Sequence, residues 1–315
     1  AFGLPLAVFI FSGIILLAVH LFLEPPILIL ERFAPGLGWL EIVIVSLYGA
    51  FLAYKMKDPM KSPVWRLRAW SVFAVVFFGQ LLLGILVDQR FLMTGELHLP
   101  IPMMILGGPL YRLELSIMTL LFLSTVILSG PSWCSQLCYF GAIDNALARG
   151  NTRRQKIRSR TAIKFTLLIL IIAAVLLLRW FRVPAVTSTG LAIGFGVAGL
   201  GIILFVSRKY HKMYHCILYC PIGTLVNYLK YINPFRMYID TNCTFCMQCT
   251  KHCKYDALTS GDIRQLRPGI TCTYCGDCIG ACHVSSIKYR FLNMHPDRAR
   301  HLYLFMTISL HVVFL

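Results

Sequence analysis

The chain has 315 residues, of which 57% are hydrophobic and only 14% are charged, with a formal net charge of +17 and a mean hydropathy of +0.71. Ordinary soluble domains carry about 25% charged residues, so this composition excludes a typical soluble protein and indicates a membrane protein. The basic residues lie in short stretches between apolar segments. This pattern favours a role in membrane topology over binding to nucleic acid, and we expect no nucleic-acid partner.

Seven apolar segments are predicted to span a bilayer, because a spanning helix needs about 20 mostly apolar residues. In chain order they are approximately 5–23, 38–54, 70–87, 114–130, 163–181, 188–206 and 302–315. The last segment is short and is expected to be the start of a further transmembrane helix. The chain begins without a methionine and ends inside an apolar run, so we expect both ends to be truncated relative to the gene product.

Three loops, which follow spans two, four and six, hold most of the basic residues. These are Lys55, Lys57, Lys61, Arg66, Arg68, Arg149, Arg153, Arg154, Lys156, Arg158, Arg160, Arg208, Lys209 and Lys212. Loops rich in lysine and arginine stay in the cytoplasm, so all three are predicted on that side, together with the N-terminus and region 207–301. The expected location is the inner (cytoplasmic) membrane, with lipids around the spans.

Two cysteine pairs follow predicted spans four and six in sequences that resemble each other. The first reads Trp133-Cys134-x3-Cys138-x2-Gly141 and the second reads Cys216-x3-Cys220-Pro221-x-Gly223. This spacing lets the two thiols of a pair share one helix face, and both pairs are expected at the same membrane depth. Four thiolates from two such loops predict an iron–sulfur cluster held by Cys134, Cys138, Cys216 and Cys220. Two other interpretations stay open, namely small buried residues that pack helix ends and redox-active dithiols.

A soluble, cysteine-rich module is predicted over 233–300, after the turn signal Asn233-Pro234. It contains two runs, Cys243-x2-Cys246-x2-Cys249-x3-Cys253 and Cys272-x2-Cys275-x2-Cys278-x3-Cys282. In two-cluster ferredoxins the fourth cysteine of each run binds the other cluster. The first [4Fe–4S] cluster is therefore assigned to Cys243, Cys246, Cys249 and Cys282, and the second to Cys272, Cys275, Cys278 and Cys253.

Structural zinc is the alternative for these eight cysteines, since zinc also accepts four thiolates. Zinc sites usually have paired C-x2-C motifs rather than triplets with a trailing fourth cysteine, which favours iron–sulfur clusters. The bacterial run usually ends in Cys-Pro, whereas Lys254 follows Cys253 and His283 follows Cys282 in this chain. The loops after the fourth cysteines are therefore expected to differ, and so are the cluster potentials.

With its two C-x3-C pairs and its two four-cysteine runs, the chain resembles membrane-bound polyferredoxins of the NapH type, the quinol dehydrogenase ferredoxin subunit. It also resembles the related nitrous-oxide-reduction regulator and FixG-like proteins, and the resemblance covers about 130–290. The resemblance implies electron transfer between a quinone pool and a redox partner within a membrane complex. Tyr139 stands where the family usually has proline, and an apolar segment follows the module as in the copper-oxidase assembly protein.

Three histidines are candidates for a quinone or haem site. His20 and His311 lie within apolar spans, where ionisable residues are functional candidates by default, and His98 lies in an outer loop. For the two intramembrane histidines, a hydrogen bond between helices is the competing interpretation.

The sequence thus predicts an all-α transmembrane bundle of 6–7 spans with a small α+β dicluster ferredoxin-like domain. The domains are expected at 1–232 (membrane), 233–300 (ferredoxin-like) and 301–315 (start of a further span). The function expected is one-electron transfer by a subunit of an oxidoreductase complex, with the quinone pool and other subunits as partners and no bond-making chemistry of its own. The alternative is a metal-reducing assembly factor for a copper-containing oxidase.

Overall fold

Helices account for most of the computed structural model, which describes residues 3–23, 26–92, 101–115, 117–150, 157 and 159–315. The longer helices are α1 (Gly3–Phe22), α3 (Gly38–Met56), α4 (Ser62–Leu86), α5 (Pro102–Arg112), α6 (Ile117–Ser129), α7 (Tyr139–Leu147), α8 (Arg160–Trp180), α9 (Ala185–Gly201), α11 (Pro221–Leu229) and α14 (Pro296–Val313). Helices of three to five residues are α2 (Ile29–Phe33), α10 (Arg208–Tyr210), α12 (Gln248–His252) and α13 (Ser260–Arg264). The predicted fold class, a helical bundle with a small α+β part, is confirmed.

Six helices among the described residues are long and apolar enough to cross a membrane. Three of these helices, α1, α8 and the one that covers Ala185–Tyr210, have mean hydropathies of 2.2 to 2.7 over their most apolar stretch. Only 22% of each stretch is buried inside the protein. Apolar side chains that face outward need an apolar solvent, and lipid provides it. The chain is therefore a multi-pass membrane protein.

The seventh predicted span, 302–315, belongs to α14, and its role as the start of a further transmembrane helix stays a prediction. α14 carries Asp297, Arg298 and Arg300 in its first turns, so it is not among the six membrane-spanning candidates. Its other half packs inside the bundle against α1 and α3, with Ile308 and Val312 each 1% exposed. The polar start of α14 instead supports the cysteine-rich part of the chain.

Spans four and six extend further than their hydropathy indicates. α6 continues through a 3₁₀ turn (Gly130–Ser132) and a π-helical turn (Trp133–Leu137), so the span covers Thr119–Leu137 instead of ending near 130. α9 likewise continues through the π-helical turn Ile202–Ser207 into α10, and this span covers Ala185–Tyr210. Cys134 consequently lies inside a helical rod and not in a loop after it.

The cysteine-rich part begins and ends with two antiparallel strands, β1 (Phe235–Ile239) and β2 (Ile287–Phe291). Alternate residues of β1 are buried, as expected for a strand with one covered face. Tyr303 of α14 covers that face, with its ring 5.3 Å from the ring of Phe235 and 4.8 Å from that of Tyr289. All eight cysteines of the two runs lie between the strands.

The basic loops meet the cysteine-rich part through ion pairs. Arg66 pairs with Asp277 at 2.6 Å, and Arg160 and Lys212 pair with Asp256 at 3.1 and 2.6 Å. Arg66 lies near the start of α4, Arg160 begins α8 and Lys212 follows α10. These ends of the spans and the cysteine-rich part therefore share one side of the bundle. That this side is cytoplasmic stays a prediction from charge.

Candidate iron–sulfur sites

The first cavity lies at the surface of the cysteine-rich part. Four cysteines line it, together with apolar side chains such as Ile239, Ile263 and Ile287; the cysteines are Cys243, Cys246, Cys249 and Cys282. The cavity encloses about 350 Å³, including space open to solvent. Cys246 is exposed. The four residues are the set that the sequence assigns to the first cluster.

The second cavity also encloses about 350 Å³, including space open to solvent. Its four cysteines are Cys253, Cys272, Cys275 and Cys278, and all but Cys278 are half-buried. The fourth cysteine of each run, which is predicted to bind the cluster of the other run, has the same local hydrogen bond in both runs. The Ala257 N–H donates to Cys253 Sγ and the Ser286 N–H donates to Cys282 Sγ, each at 3.3 Å. Cluster ligation by these two sets stays a prediction, but the fold gathers the residues as that prediction requires.

The spacing of these sulfur atoms argues against mononuclear zinc. Tetrahedral zinc with Zn–S bonds of about 2.3 Å requires sulfurs about 3.8 Å apart. In the described part of the chain, one group of three or more ligand atoms lies within 4.8 Å of one another, and that group contains none of the eight cysteines of the two runs. A cubane separates its four cysteine sulfurs further than a single ion does, so the donor sets fit [4Fe–4S] clusters.

The protonation of these thiols also fits a cationic group between them. Burial, together with the charge of neighbouring thiols, raises the pKa of Cys249 to about 11 and that of Cys253 to about 12. Four thiolates at one such cavity would repel one another without a counter-charge. Bound iron would supply that charge and displace the protons.

A third group of cysteines lies where spans four and six end, on two turns of equivalent backbone. Cys138 ends the π-helical turn Trp133–Leu137, and Cys220 ends a second π-helical turn, His215–Tyr219. The φ and ψ angles are −78° and 114° at Cys138, and −72° and 118° at Cys220. The two cysteines also occupy the N-cap positions of α7 and α11. The repeat in the sequence is therefore a repeat in the structure.

The glycine that follows each pair has a steric reason. A Cβ at Gly141 would lie 3.0 Å from the Cys134 carbonyl oxygen, and one at Gly223 would lie 2.8 Å from the Cys216 carbonyl oxygen. Real Cβ atoms hardly ever approach that closely, so the turn closes over the first cysteine only with glycine at this position. The close approach explains why glycine stands three residues after the second cysteine of each pair.

The four thiols of these turns meet in the interior. Cys134, Cys138 and Cys220 belong to one buried core and are 5 to 8% exposed. The thiol of Cys216 interacts electrostatically with the other three. The predicted third set is thus gathered in one place.

Two buried charges beside these thiols were not recognised in the sequence. Lys164 is 3% exposed and its ammonium has no hydrogen-bond partner. Asp144 is fully buried; Oδ2 accepts from the Cys216 N–H at 3.1 Å, and Oδ1 has no partner. An unpaired buried cation next to four thiols fits an anionic thiolate cluster at this site. A lysine inside a predicted apolar span was the available signal for Lys164.

Side chains and backbone join the three cysteine groups into a row. The first two groups interact electrostatically through Cys249 and Cys278. Tyr255 lines the second cavity, and its hydroxyl donates to the Cys134 carbonyl oxygen at 2.8 Å. Ser135, next to Cys134, lies 3.4 Å through its Oγ from the carbonyl oxygen of Thr273, which also lines that cavity. The second cavity and the third group therefore share a wall.

The candidate histidines are not brought together. His311 is 2% exposed; its Nδ1 lies 3.4 Å from the carbonyl oxygen of Gln136, between Cys134 and Cys138, and its Nε2 lies 3.3 Å from the Tyr48 hydroxyl. His20 lies in the last turn of α1, close to Gly38. His98 lies outside the described residues. Only His311 is next to a cysteine group among the histidines that the sequence proposed and the structure describes.

Comparisons with known proteins agree with an iron–sulfur centre. A family model described as a 4Fe-4S binding domain matches residues 111–160, which contain Cys134 and Cys138. The chain is therefore an iron–sulfur protein. An uncharacterized protein of Methanocaldococcus jannaschii is 22% identical over 176 residues, which cover 51% of this chain and 65% of that protein. No solved structure matches.

Proposed function

We propose that this chain is a membrane-bound electron-transfer subunit that relays electrons between a soluble redox partner and a quinone in the bilayer. Three [4Fe–4S] clusters, one at each group of four cysteines, would carry the electrons. The observation that carries the proposal is the row of cysteine groups, which runs from exposed Cys246 to the interior beside His311. Bound clusters would supply one-electron carriers whose potentials respond to nearby charge and hydrogen bonds.

The exposed end suits a soluble partner. Cys246 and its neighbour Phe245, which is 47% exposed, lie at the surface beside the first cavity. A partner that docks here would approach the first cluster without crossing the membrane part. Other subunits of a redox complex in the inner membrane are the expected partners, with this face in the cytoplasm.

The buried end suits a quinone. Quinone reduction consumes two electrons and two protons, so the site needs an electron donor and groups that exchange protons. His311 and Tyr48 form a hydrogen-bonded pair next to the third cysteine group, and Phe73 lies 5.6 Å from the His311 ring. Tyr48 is half-buried on membrane-spanning α3, which leaves an edge of the pair open toward lipid.

The test follows electrons from the clusters to a quinone. The full chain, purified without oxygen in detergent, is reduced with dithionite, freed of excess reductant and mixed with decyl-ubiquinone. We expect the clusters to reoxidise and the quinol to appear. Tyr48→Phe should slow this reaction at least about tenfold because the phenol proton is lost. Tyr54→Phe, on the same helix and 58% exposed, should react like the unmodified chain.

Clusters that stay reduced in the presence of quinone would contradict the proposed acceptor. Equal rates for Tyr48→Phe and Tyr54→Phe would contradict a role for the His311–Tyr48 pair in quinone reduction. The assembly-factor alternative gains no support from any contact in the described part of the chain.

A further inference from the structure

The buried lysine of α8 has no hydrogen-bond partner in a place where an unpaired charge is costly. An ammonium removed from water costs several kcal/mol unless an opposite charge compensates it. The groups with which Lys164 interacts electrostatically are, in order, the thiols of Cys134 and Cys220, then the cation Lys230, then the thiol of Cys216. Lys230 is also a cation and cannot compensate the charge of Lys164. The thiols are therefore left as the groups that can compensate it.

Asp144, the opposite charge at this site, has a different role. Its carboxylate accepts a hydrogen bond from the Cys216 backbone N–H at 3.1 Å, so the protein itself holds it in place. It interacts electrostatically with the thiols of Cys216, Cys138 and Cys220. Of the two buried charges, only Lys164 lacks hydrogen bonds.

The backbone adds positive potential on the side of the cysteines. α7 and α11, nine residues each, begin directly after Cys138 and Cys220. A helix N-terminus carries a partial positive charge and unpaired N–H groups. The Gly223 N–H already points at Cys220 Sγ, at 3.5 Å. Lys164 and two helix ends thus face the same four thiols.

We infer that Lys164 is a positioning residue for the third cluster and that its charge raises the cluster's reduction potential. This inference rests on the proposed function. Four thiolates outweigh the charge of an iron–sulfur core, and the centre becomes more anionic when it gains an electron, so a fixed cation favours the reduced form. Transfer then oxidises the second centre by one electron and reduces the third by one, with no bond formed. The charge draws electrons toward the membrane end.

The test is an anaerobic redox titration of the full chain in detergent, followed by electron paramagnetic resonance, with iron content measured on the same samples. In Lys164→Met we expect one of three signals to shift to lower potential. At a fixed potential its ratio of reduced to oxidised cluster should fall about tenfold, which equals about 59 mV for a one-electron couple. The other two signals should not move. Lys164→Arg keeps the charge and should retain the unmodified potential.

Asp144→Asn gives the matched change of opposite sign. It removes a negative charge from the same site while the amide oxygen can still accept from Cys216, so the same signal should shift to higher potential. A third signal that is present and unmoved in Lys164→Met would overturn the inference and leave the proposed relay intact.

Two other outcomes are decisive. If the unmodified chain holds iron for two clusters only, the third centre and the inference fall together. If Lys164→Met loses the third signal, a Lys164→Arg chain that keeps it supports a role for the charge, whereas loss in both variants overturns the inference.

Discussion

Between β1 and β2, each cavity takes three of its four cysteines from one short loop and the fourth from the other run. The membrane-side group instead takes two cysteines from each of two turns, which α7, α8 and α9 separate along the chain. The first arrangement is local and leaves Cys246 exposed, whereas the second exists only when the bundle is packed and buries three of its four cysteines. Cysteine spacing alone can therefore define the sites between β1 and β2. The membrane-side site depends on tertiary structure and on the charges around it.

The largest expected effect separates the two kinds of site. Cys134→Ser combined with Cys216→Ser removes one ligand from each membrane-side turn. We expect iron content to fall by about one cluster, which is about four of twelve iron atoms, because a cubane requires its thiolates. Iron analysis with electron paramagnetic resonance checks this. An unchanged iron content would show that the membrane-side cysteines hold no cluster.

The second prediction concerns the exchange of fourth cysteines within the cysteine-rich part. Because Cys282 lines the cavity of the first run, Cys282→Ser should perturb the same signal as Cys243→Ser. Cys253→Ser should likewise match Cys272→Ser. Electron paramagnetic resonance spectra of the four variants test which cluster each fourth cysteine binds. A spectrum of Cys282→Ser that resembled that of Cys272→Ser would contradict the assignment of Cys282 to the first cluster.

A third prediction concerns how the two regions are joined. The Arg66 guanidinium is 1% exposed and binds both oxygens of Asp277, at 2.9 and 2.6 Å, as well as the Ser135 carbonyl oxygen. Arg66→Met leaves a partly buried carboxylate unpaired, which costs about 3–5 kcal/mol. Thermal unfolding should therefore begin at a lower temperature. Arg68→Met, at an exposed site on the same helix, is the control. Equal melting temperatures of the two variants would contradict a stabilising role for the Arg66–Asp277 ion pair.

The smallest expected effect comes from the close approach at Gly223. Gly223→Ala brings a Cβ to 2.8 Å from the Cys216 carbonyl oxygen, and overpacking of this kind costs about 1–3 kcal/mol. The third signal should broaden or shift while the other two stay. Gly194→Ala, where no atom lies within 4 Å of the new Cβ, should leave all three signals as they are. Identical spectra for the two variants would contradict the role of the glycine.

Much of this arrangement could be predicted because the signals are local. Hydropathy located the six helices that are long and apolar enough to span, since lipid requires long apolar runs. Ligand spacing likewise grouped Cys243, Cys246 and Cys249, since three ligands on one loop reveal themselves in sequence. The exchange of Cys253 and Cys282 followed from a known pattern, and the fold gathers the same sets.

The remainder depends on tertiary contacts. Local sequence does not show how α14 packs, with its second half inside the bundle and the helix also in contact with β2. π-helical turns have no periodic signature, so Cys134 was expected after span four and not within it. Lys164 reveals its role only through neighbours on other helices.

The most direct test of the central claim is the metal content of the full chain purified without oxygen. Iron and acid-labile sulfide are measured together with zinc, and electron paramagnetic resonance counts the clusters. We expect about twelve iron and about twelve sulfide per chain, three distinguishable signals and no zinc. A colourless protein with zinc at the eight cysteines between β1 and β2 would contradict it.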